Sequence, residues 1–329
     1  MKAVVFDRFG DPAEVLQVRD VPVPQPAAGQ VRVRMLASPV NPSDLMVVRG
    51  LYGRLPNLPA TPGFEGVGVV EAAGPGLLGW LRKGKRVAVL NAHGGTWQEQ
   101  VLVPARQVVP IAVGVSDQQA AMFFVNPATA LVMIRHVLRV PRGAWLLQTA
   151  AGSALGRMVI RLSKLDGFRT INVVRRREQG EELLRLGADA VICTADEAID
   201  ERVRALTDGK GVPCALDAVG GATGSAVVSA LAPGGRLLVY GTLAGEPLTI
   251  PPRALMVADA HVEGFWLSNW ARRQGVLPML RLFRQINALL ADGQFATEVG
   301  ATFTLDEIQQ AARAAETPGR TGKVLLRFA

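Results

Sequence analysis

The sequence predicts an α/β fold in two parts, a mainly β N-terminal part followed by a doubly wound parallel sheet. Three observations predict it. Short apolar strand candidates recur at 145–149, 170–174, 189–193, 213–217 and 236–240, with helix-length stretches at about 178–186, 197–207 and 222–231 between them. The first of these strands, beginning at Trp145, runs into a turn of small residues, Ala151-Gly-Ser-Ala-Leu-Gly156, and then into a helical stretch. The first 110 residues instead hold short strands broken by proline and glycine. A chain of 329 residues also exceeds the size that one core usually serves.

Taken in order, Met1–Phe6 and Gln30–Leu36 are strand candidates, the second alternating Val31 and Val33 with Arg32 and Arg34. Between them, residues 21–26 are stiffened by proline. Residues 37–63 are turn-rich, with prolines at 39, 42, 56, 59 and 62, and such a long irregular stretch is usually functional. Strands follow at Gly63–Glu71, Lys85–Leu90 and Gly95–Val103. Residues 118–140 read as one helix, bent or interrupted by Pro127. The helix over Arg157–Asp166 offers Met158, Ile160, Leu162 and Leu165 to a sheet. A long helix near 275–292 offers Met279, Leu280, Phe283, Ile286 and Leu290. The tail Gly322–Ala329 returns to strand and is expected to rejoin the N-terminal part.

The totals exclude several classes. Hydrophobic residues make up 49 % and charged residues 19 %, the balance of a well-buried globular chain. The net charge of +8 is spread thinly, without a zinc finger or helix-turn-helix signal, so no nucleic-acid partner is expected. No apolar run is long enough to span a membrane, and no membrane partner is expected. Cys193 and Cys214 imply no disulfide framework, and the N-terminus lacks a signal-peptide layout. A cytoplasmic enzyme is the expectation. The three histidines, His93, His136 and His261, are too scattered to argue a metal site.

The turn after Trp145–Thr149 carries the clearest chemistry. Gly152 lets backbone approach a ligand, the helix N-terminus offers unpaired N–H groups to a pyrophosphate, and Gly156 lets helix and strand pack closely. Ala151, Gly152, Ser153, Leu155 and Gly156 are the cradle candidates, although Gly-x-x-x-Gly is also the spacing of an ordinary tight turn. The next strand ends in Val174-Arg-Arg-Arg177, with no acid at its tip for ribose hydroxyls. Guanidiniums there suit a 2′-phosphate, which predicts NADPH over NADH, with Arg175 and Arg176 as contacts. A solvated loop of charges is the plain alternative.

Three segments carry a resemblance: Asn41-Pro-Ser-Asp-Leu-Met-Val-Val-Arg-Gly-Leu-Tyr-Gly53, Thr170-Ile-Asn-Val-Val-Arg175 and Gly264-Phe-Trp-Leu-Ser-Asn-Trp270. The whole chain resembles the medium-chain dehydrogenase/reductase superfamily. Within it, the chain is most similar to the zinc-independent trans-2-enoyl thioester reductases, relatives of the quinone oxidoreductases. The resemblance implies a GroES-like catalytic domain over 1–117 and 270–329 and a Rossmann domain over 118–269. It also implies a cleft between them and a homodimer. The implied activity is NADPH-dependent reduction of the C2=C3 bond of an enoyl thioester carried on CoA or acyl carrier protein. NADPH:quinone oxidoreduction, or NADPH binding without catalysis, are the alternatives.

The resemblance also implies roles for single residues. Tyr52 is the catalytic acid, and Asn41 orients the reacting groups. Thr129, Tyr240 and Lys323 lie toward the cofactor. Tyr52, Phe265, Trp266 and Trp270 line the acyl site. Each has a plainer reading: Tyr52 as a loop aromatic, Thr129 as a hydroxyl bonded to its own helix, Lys323 as a strand-edge charge, and Tyr240 and the tryptophans as packing. Zinc-bearing relatives place a cysteine and a His-Glu pair where this chain has Ala37-Ser-Pro-Val-Asn-Pro-Ser43 and Gly63-Phe-Glu65. No metal is therefore implied.

Overall fold

A computed structural model describes residues 1–91 and 94–328. The chain divides into two compact units, one of residues 1–126 and 277–329, the other of residues 127–276. These limits fall several residues beyond the expected 117/118 and 269/270 borders. The first shift has a local cause: the helix Asp117–Ala121 packs on strands of the first unit.

The first unit is built on a seven-stranded sheet. Its order is Val299–Phe303, Lys323–Arg327, Gln30–Pro39, Glu65–Ala73, Arg86–Leu90 and Val108–Pro110, with Gln100–Pro104 paired to Gln30–Pro39. The C-terminal strand does rejoin the N-terminal part, pairing antiparallel with Ala37–Pro39. Alternation puts Val31, Val33 and Met35 inside, with Val87, Val89, Trp97, Val101 and Val103 around them. A short helix, Pro42–Val48, stands in the stretch expected to be irregular. Proline occupies its first position, where its missing N–H is not needed.

The second unit carries a six-stranded sheet in the order Ala190–Cys193, Arg169–Val174, Trp145–Gln148, Val212–Asp217, Leu231–Val239, His261–Gly264. Every pairing in it is parallel. The five expected strands are present, and His261–Gly264 adds a sixth that the sequence pattern hides. Its residues are only partly buried or exposed, so they lack the apolar run that marks an inner strand.

Three helical expectations need correction. Residues 118–140 are not one helix. Asp117–Ala121 ends, Met122–Phe124 intervene, and Val125–Leu131 starts again with Pro127 in its first turn, then winds as a π-helix over Val132–Leu138. In Ala154–Asp166 the buried set is Leu155, Met158, Val159, Ile160 and Leu162, and Leu165 is half exposed. Helical spacing from Leu155 selects 158, 159 and 162 and turns 165 outward. In Val276–Ala291 the buried residues are Leu282, Ile286 and Leu290, while Leu280 is exposed.

Candidate active site

The sequence-predicted site residues fall in both units. Asn41, Tyr52 and Lys323 belong to the first. Thr129, Ala151, Gly152, Ser153, Leu155, Gly156, Arg175, Arg176, Tyr240, Phe265, Trp266 and Trp270 belong to the second. Each unit is described by itself.

In the second unit, the turn after Trp145–Gln148 is held by a buried polar ladder. Gln148 Nε2 donates to Asn172 Oδ1 at 2.7 Å and to the Gly156 carbonyl at 3.0 Å. Asn172 Nδ2 donates to Thr170 Oγ1 and to the Ala190 carbonyl. The helix start is thereby tied to the strands beneath it. Ser153 caps the helix, its hydroxyl accepting from Gly156 N at 3.1 Å. Among the described residues, the N–H groups of Gly152, Ala154 and Leu155 find no protein acceptor. A Cβ at Gly156 would lie 2.4 Å from the Ala151 carbonyl oxygen, so only glycine fits. A Cβ at Gly152 would meet just the end of the Gln179 side chain, at 3.2 Å. Helix N-terminal N–H groups beside a glycine could hold an anion.

The arginine run splits. Arg177 pairs with Asp196 at 2.7 Å, whereas exposed Arg175 and Arg176 make no ion pair among the described residues. Two guanidiniums are left for an anionic group. Sequence reasoning missed Asp217, at the end of its strand. It accepts from Thr149 Oγ1 at 2.6 Å and from Val219 N and Gly220 N, which fixes the next turn. Its signal was an acid closing a buried strand before Ala218-Val-Gly-Gly221. Tyr240 follows the strand Leu231–Val239, its N–H bonded to the Asp217 carbonyl, and burial pushes its hydroxyl pKa upward. Thr129 is buried, and among the described residues its hydroxyl takes no partner on its own helix. Trp270 packs on His136 with ring centroids 5.5 Å apart, whereas Trp266, at the start of the helix Leu267–Arg272, is 38 % exposed.

In the first unit, buried polar groups gather where Gln30–Pro39 ends and Glu65–Ala73 begins. Asn41 precedes the helix Pro42–Val48, and its N–H donates to Asp44 Oδ2 at 2.8 Å. Asp44 Oδ1 accepts from Phe64 N at 3.0 Å. Glu65 Oε1 accepts from Asn41 Nδ2 at 3.1 Å, and Glu65 Oε2 accepts from Phe124 N and Val125 N, both at 2.9 Å. Asn41 Oδ1 is buried with no hydrogen-bond partner. Lys323 is 5 % exposed and opens an inner strand, between Val299–Phe303 and Gln30–Pro39, so it is not a strand-edge charge. Tyr52 is half-buried, its ring 5.1 Å from that of Phe64.

Burial sets the ionisation of this cluster. It pushes the Asp44 carboxyl up to about 7 and raises Glu65, while Lys323 is lowered to about 8. A free aspartate ionises near pH 4, so between about pH 4 and 7 folded Asp44 holds a proton that the unfolded chain has lost. Stability from this residue therefore falls as pH rises through that window, by up to about 4 kcal/mol. Lys323 has the opposite slope, between about pH 8 and 10.5. Urea midpoints of wild type and Asp44→Asn from pH 4.5 to 7.5 check the first slope. The gap between the two proteins should shift steadily in favour of the variant as pH rises, and a constant gap would refute it.

Among the described residues no group of three or more His, Cys, Asp or Glu side chains is placed to hold a metal ion. The Glu65 carboxylate is already engaged by three N–H donors. His93, one of the three scattered histidines, lies outside the described residues.

Two family models match the chain: a GroES-like alcohol dehydrogenase domain over residues 27–113 and a zinc-binding dehydrogenase domain over residues 154–282. The mitochondrial enoyl-[acyl-carrier-protein] reductase of Rattus norvegicus is 33 % identical over 97 % of this chain and 86 % of its own. Among solved structures, a candidate NADPH:quinone reductase from Bacillus thuringiensis is 36 % identical, with a TM-score of 0.94 over 100 % of this chain and 99 % of its own. Another from Mesorhizobium loti is 30 % identical, with a TM-score of 0.89 over 100 % and 98 %. The expectation of a cytoplasmic enzyme is corrected here, because the curated relatives are named as mitochondrial enzymes. The chain belongs to the medium-chain dehydrogenase/reductase superfamily, as an oxidoreductase homologous to the mitochondrial enoyl-[acyl-carrier-protein] reductases and related to the quinone oxidoreductases.

Proposed function

We propose that this chain reduces a carbonyl compound conjugated to a C=C bond, using NADPH. The observation that carries the cofactor is the cradle at Gly152–Leu155 together with the two unpaired arginines. The N–H groups of Gly152, Ala154 and Leu155 would hold the pyrophosphate. Arg175 and Arg176 would hold the 2′-phosphate. When bound, NADPH supplies a hydride; the protein supplies position, electrostatics and a proton.

Two acceptors belong to this class. Quinone reduction is favoured by the names of the similar solved structures, which give it the greater weight among the comparisons. Enoyl-thioester reduction, with the acyl group on CoA or an acidic carrier protein, is favoured by Tyr52. Hydride addition at C3 of an enoyl thioester leaves negative charge on the thioester oxygen, and C2 then needs a proton. A phenol is a neutral hydrogen-bond donor at neutral pH and serves both needs. A quinone places no such demand at a carbon atom. Phe265 and Trp266 would give an acyl chain apolar surface. The family resemblance adds a homodimer, which sedimentation equilibrium tests.

Loss of NADPH absorbance with crotonyl-, hexenoyl- and decenoyl-CoA beside 1,4-benzoquinone and 9,10-phenanthrenequinone tests the function. Turnover of neither class would remove it. Replacing Arg175 and Arg176 by alanine should lower kcat/KM for NADPH by roughly 10- to 100-fold, the size of one or two charge-assisted hydrogen bonds. The value for NADH should change little. Equal losses with both cofactors would take the arginines out of 2′-phosphate recognition.

A further inference from the structure

We propose that Glu65 is a positioning residue that fixes the hydrogen-bond polarity of Asn41, holding its Oδ1 as an acceptor for a donor group on the bound ligand. The argument is one of donors and acceptors. Glu65 Oε2 faces two backbone N–H groups, those of Phe124 and Val125, and so must accept. Glu65 Oε1 faces the Asn41 amide at 3.1 Å. With Glu65 ionised both its oxygens can only accept, so Asn41 turns Nδ2 toward Oε1. That leaves Asn41 Oδ1, in a residue only 2 % exposed, without a hydrogen bond: the one N–H facing it across the helix cap, that of Asp44, is bonded at 3.0 Å to the Asn41 carbonyl instead. A buried acceptor left unmade costs free energy, and a ligand N–H or O–H supplies what is missing. Asp44 completes the clamp by accepting from the Asn41 backbone N–H at 2.8 Å.

An isosteric change reverses the pattern. In Glu65→Gln, the amide oxygen must stay on the Phe124 and Val125 N–H groups, because an NH₂ there would face two donors. Its Nε2 then faces Asn41, which must flip to accept with Oδ1 and present Nδ2 instead. Asn41→Asp alone sets a second carboxylate against Glu65. The double variant, Glu65→Gln with Asn41→Asp, restores the wild-type pattern. The introduced amide donates to one oxygen of the introduced carboxylate, and the other oxygen is offered as an acceptor.

The activity arm rests on the proposed function; the binding and spectroscopic arms do not. The experiment compares wild type, both single variants and the double variant. It measures kcat and KM with NADPH and the better acceptor of the panel, NADPH binding by fluorescence, thermal midpoint, and the side-chain amide signals in ¹⁵N–¹H spectra. Each single variant should lose roughly 10- to 100-fold in kcat/KM, the cost of one misdirected buried hydrogen bond. The double variant should recover to within about fivefold of wild type, a non-additivity that coupled neighbours show. The Asn41 Nδ2 signal, identified by its loss in Asn41→Asp, should move in Glu65→Gln. A Glu65→Gln enzyme with wild-type kinetics and an unmoved Asn41 signal overturns the proposal. So does a double variant no better than the worse single one while its thermal midpoint matches wild type. If wild type turns over no acceptor, the proposed function fails, and the amide signal with NADPH binding still decides the role of Glu65.

Discussion

Tyr52→Phe is expected to lower kcat for an enoyl thioester by about 10²-fold, the scale of a positioned acid or oxyanion donor. This corresponds to about 2.7 kcal/mol of transition-state stabilisation. Phenylalanine keeps the ring and its packing against Phe64, so the fold should hold. The change removes one hydroxyl and leaves the N–H groups of Gly152, Ala154 and Leu155 and the side chains of Arg175 and Arg176 untouched, so NADPH affinity should change little. The hydroxyl would act as charge develops, so kcat and kcat/KM should fall together. The loss should be partial, because water can protonate C2 while a bound hydride donor still supplies proximity. Quinone reduction should drop far less. Steady-state kinetics on both acceptor classes, with NADPH binding by fluorescence, check this. An unchanged kcat on the thioester beside wild-type cofactor binding takes Tyr52 out of the mechanism and leaves quinone reduction as the function.

The parts of the molecule that the sequence made legible are those where one physical rule dominates. The central strands read correctly because parallel strands buried on both faces need apolar runs, as in Trp145-Leu-Leu147 and Leu237-Leu-Val239. The tight turn at Gly156 was legible because its close approach to the Ala151 backbone admits no side chain. The strand His261–Gly264 was hidden, since an outer strand half open to solvent has no apolar signature. The break at Met122–Phe124 was hidden too, because apolar residues run continuously across it from Ala120 to Val125 and periodicity alone cannot find it.

The polar cluster was legible only in part, and not as a network. Asn41 and Lys323 were marked by resemblance, yet Glu65 and Asp44 carried no local signal of their partnership. Asn41 and Glu65 are 24 positions apart, and the contact forms because the strands Gln30–Pro39 and Glu65–Ala73 pair antiparallel, with Ala37 opposite Val67. Gly63 contributes as well. Its φ of +99° favours glycine, and a Cβ there would lie 2.2 Å from Thr96 Oγ1. Such a network depends on which strand ends meet, and that is a property of the sheet rather than of any short segment.

Gly156→Ala should have the second large effect, and Gly152→Ala separates its two causes. At position 156 a methyl group would sit 2.4 Å from the Ala151 carbonyl oxygen and 2.7 Å from its carbonyl carbon and Cα. All three are backbone atoms, so relief requires the turn itself to move. Overpacking of this kind costs about 2–3 kcal/mol, and the thermal midpoint should fall by roughly 5–10 °C. The same movement would displace the N–H groups of Gly152, Ala154 and Leu155, so NADPH affinity should drop about tenfold or more. It would also pull on the Gly156 carbonyl, the acceptor of Gln148 Nε2, and so loosen the ladder beneath the turn. At position 152 the methyl meets only the mobile end of Gln179, at 3.2 Å. Gly152→Ala should therefore keep the wild-type thermal midpoint, yet weaken NADPH binding if a phosphate approaches the backbone there. Calorimetric unfolding and fluorescence titration of the two variants measure both quantities. A Gly156→Ala protein melting within about 1 °C of wild type would refute the packing argument. Wild-type NADPH affinity in Gly152→Ala would move the phosphate site away from this turn.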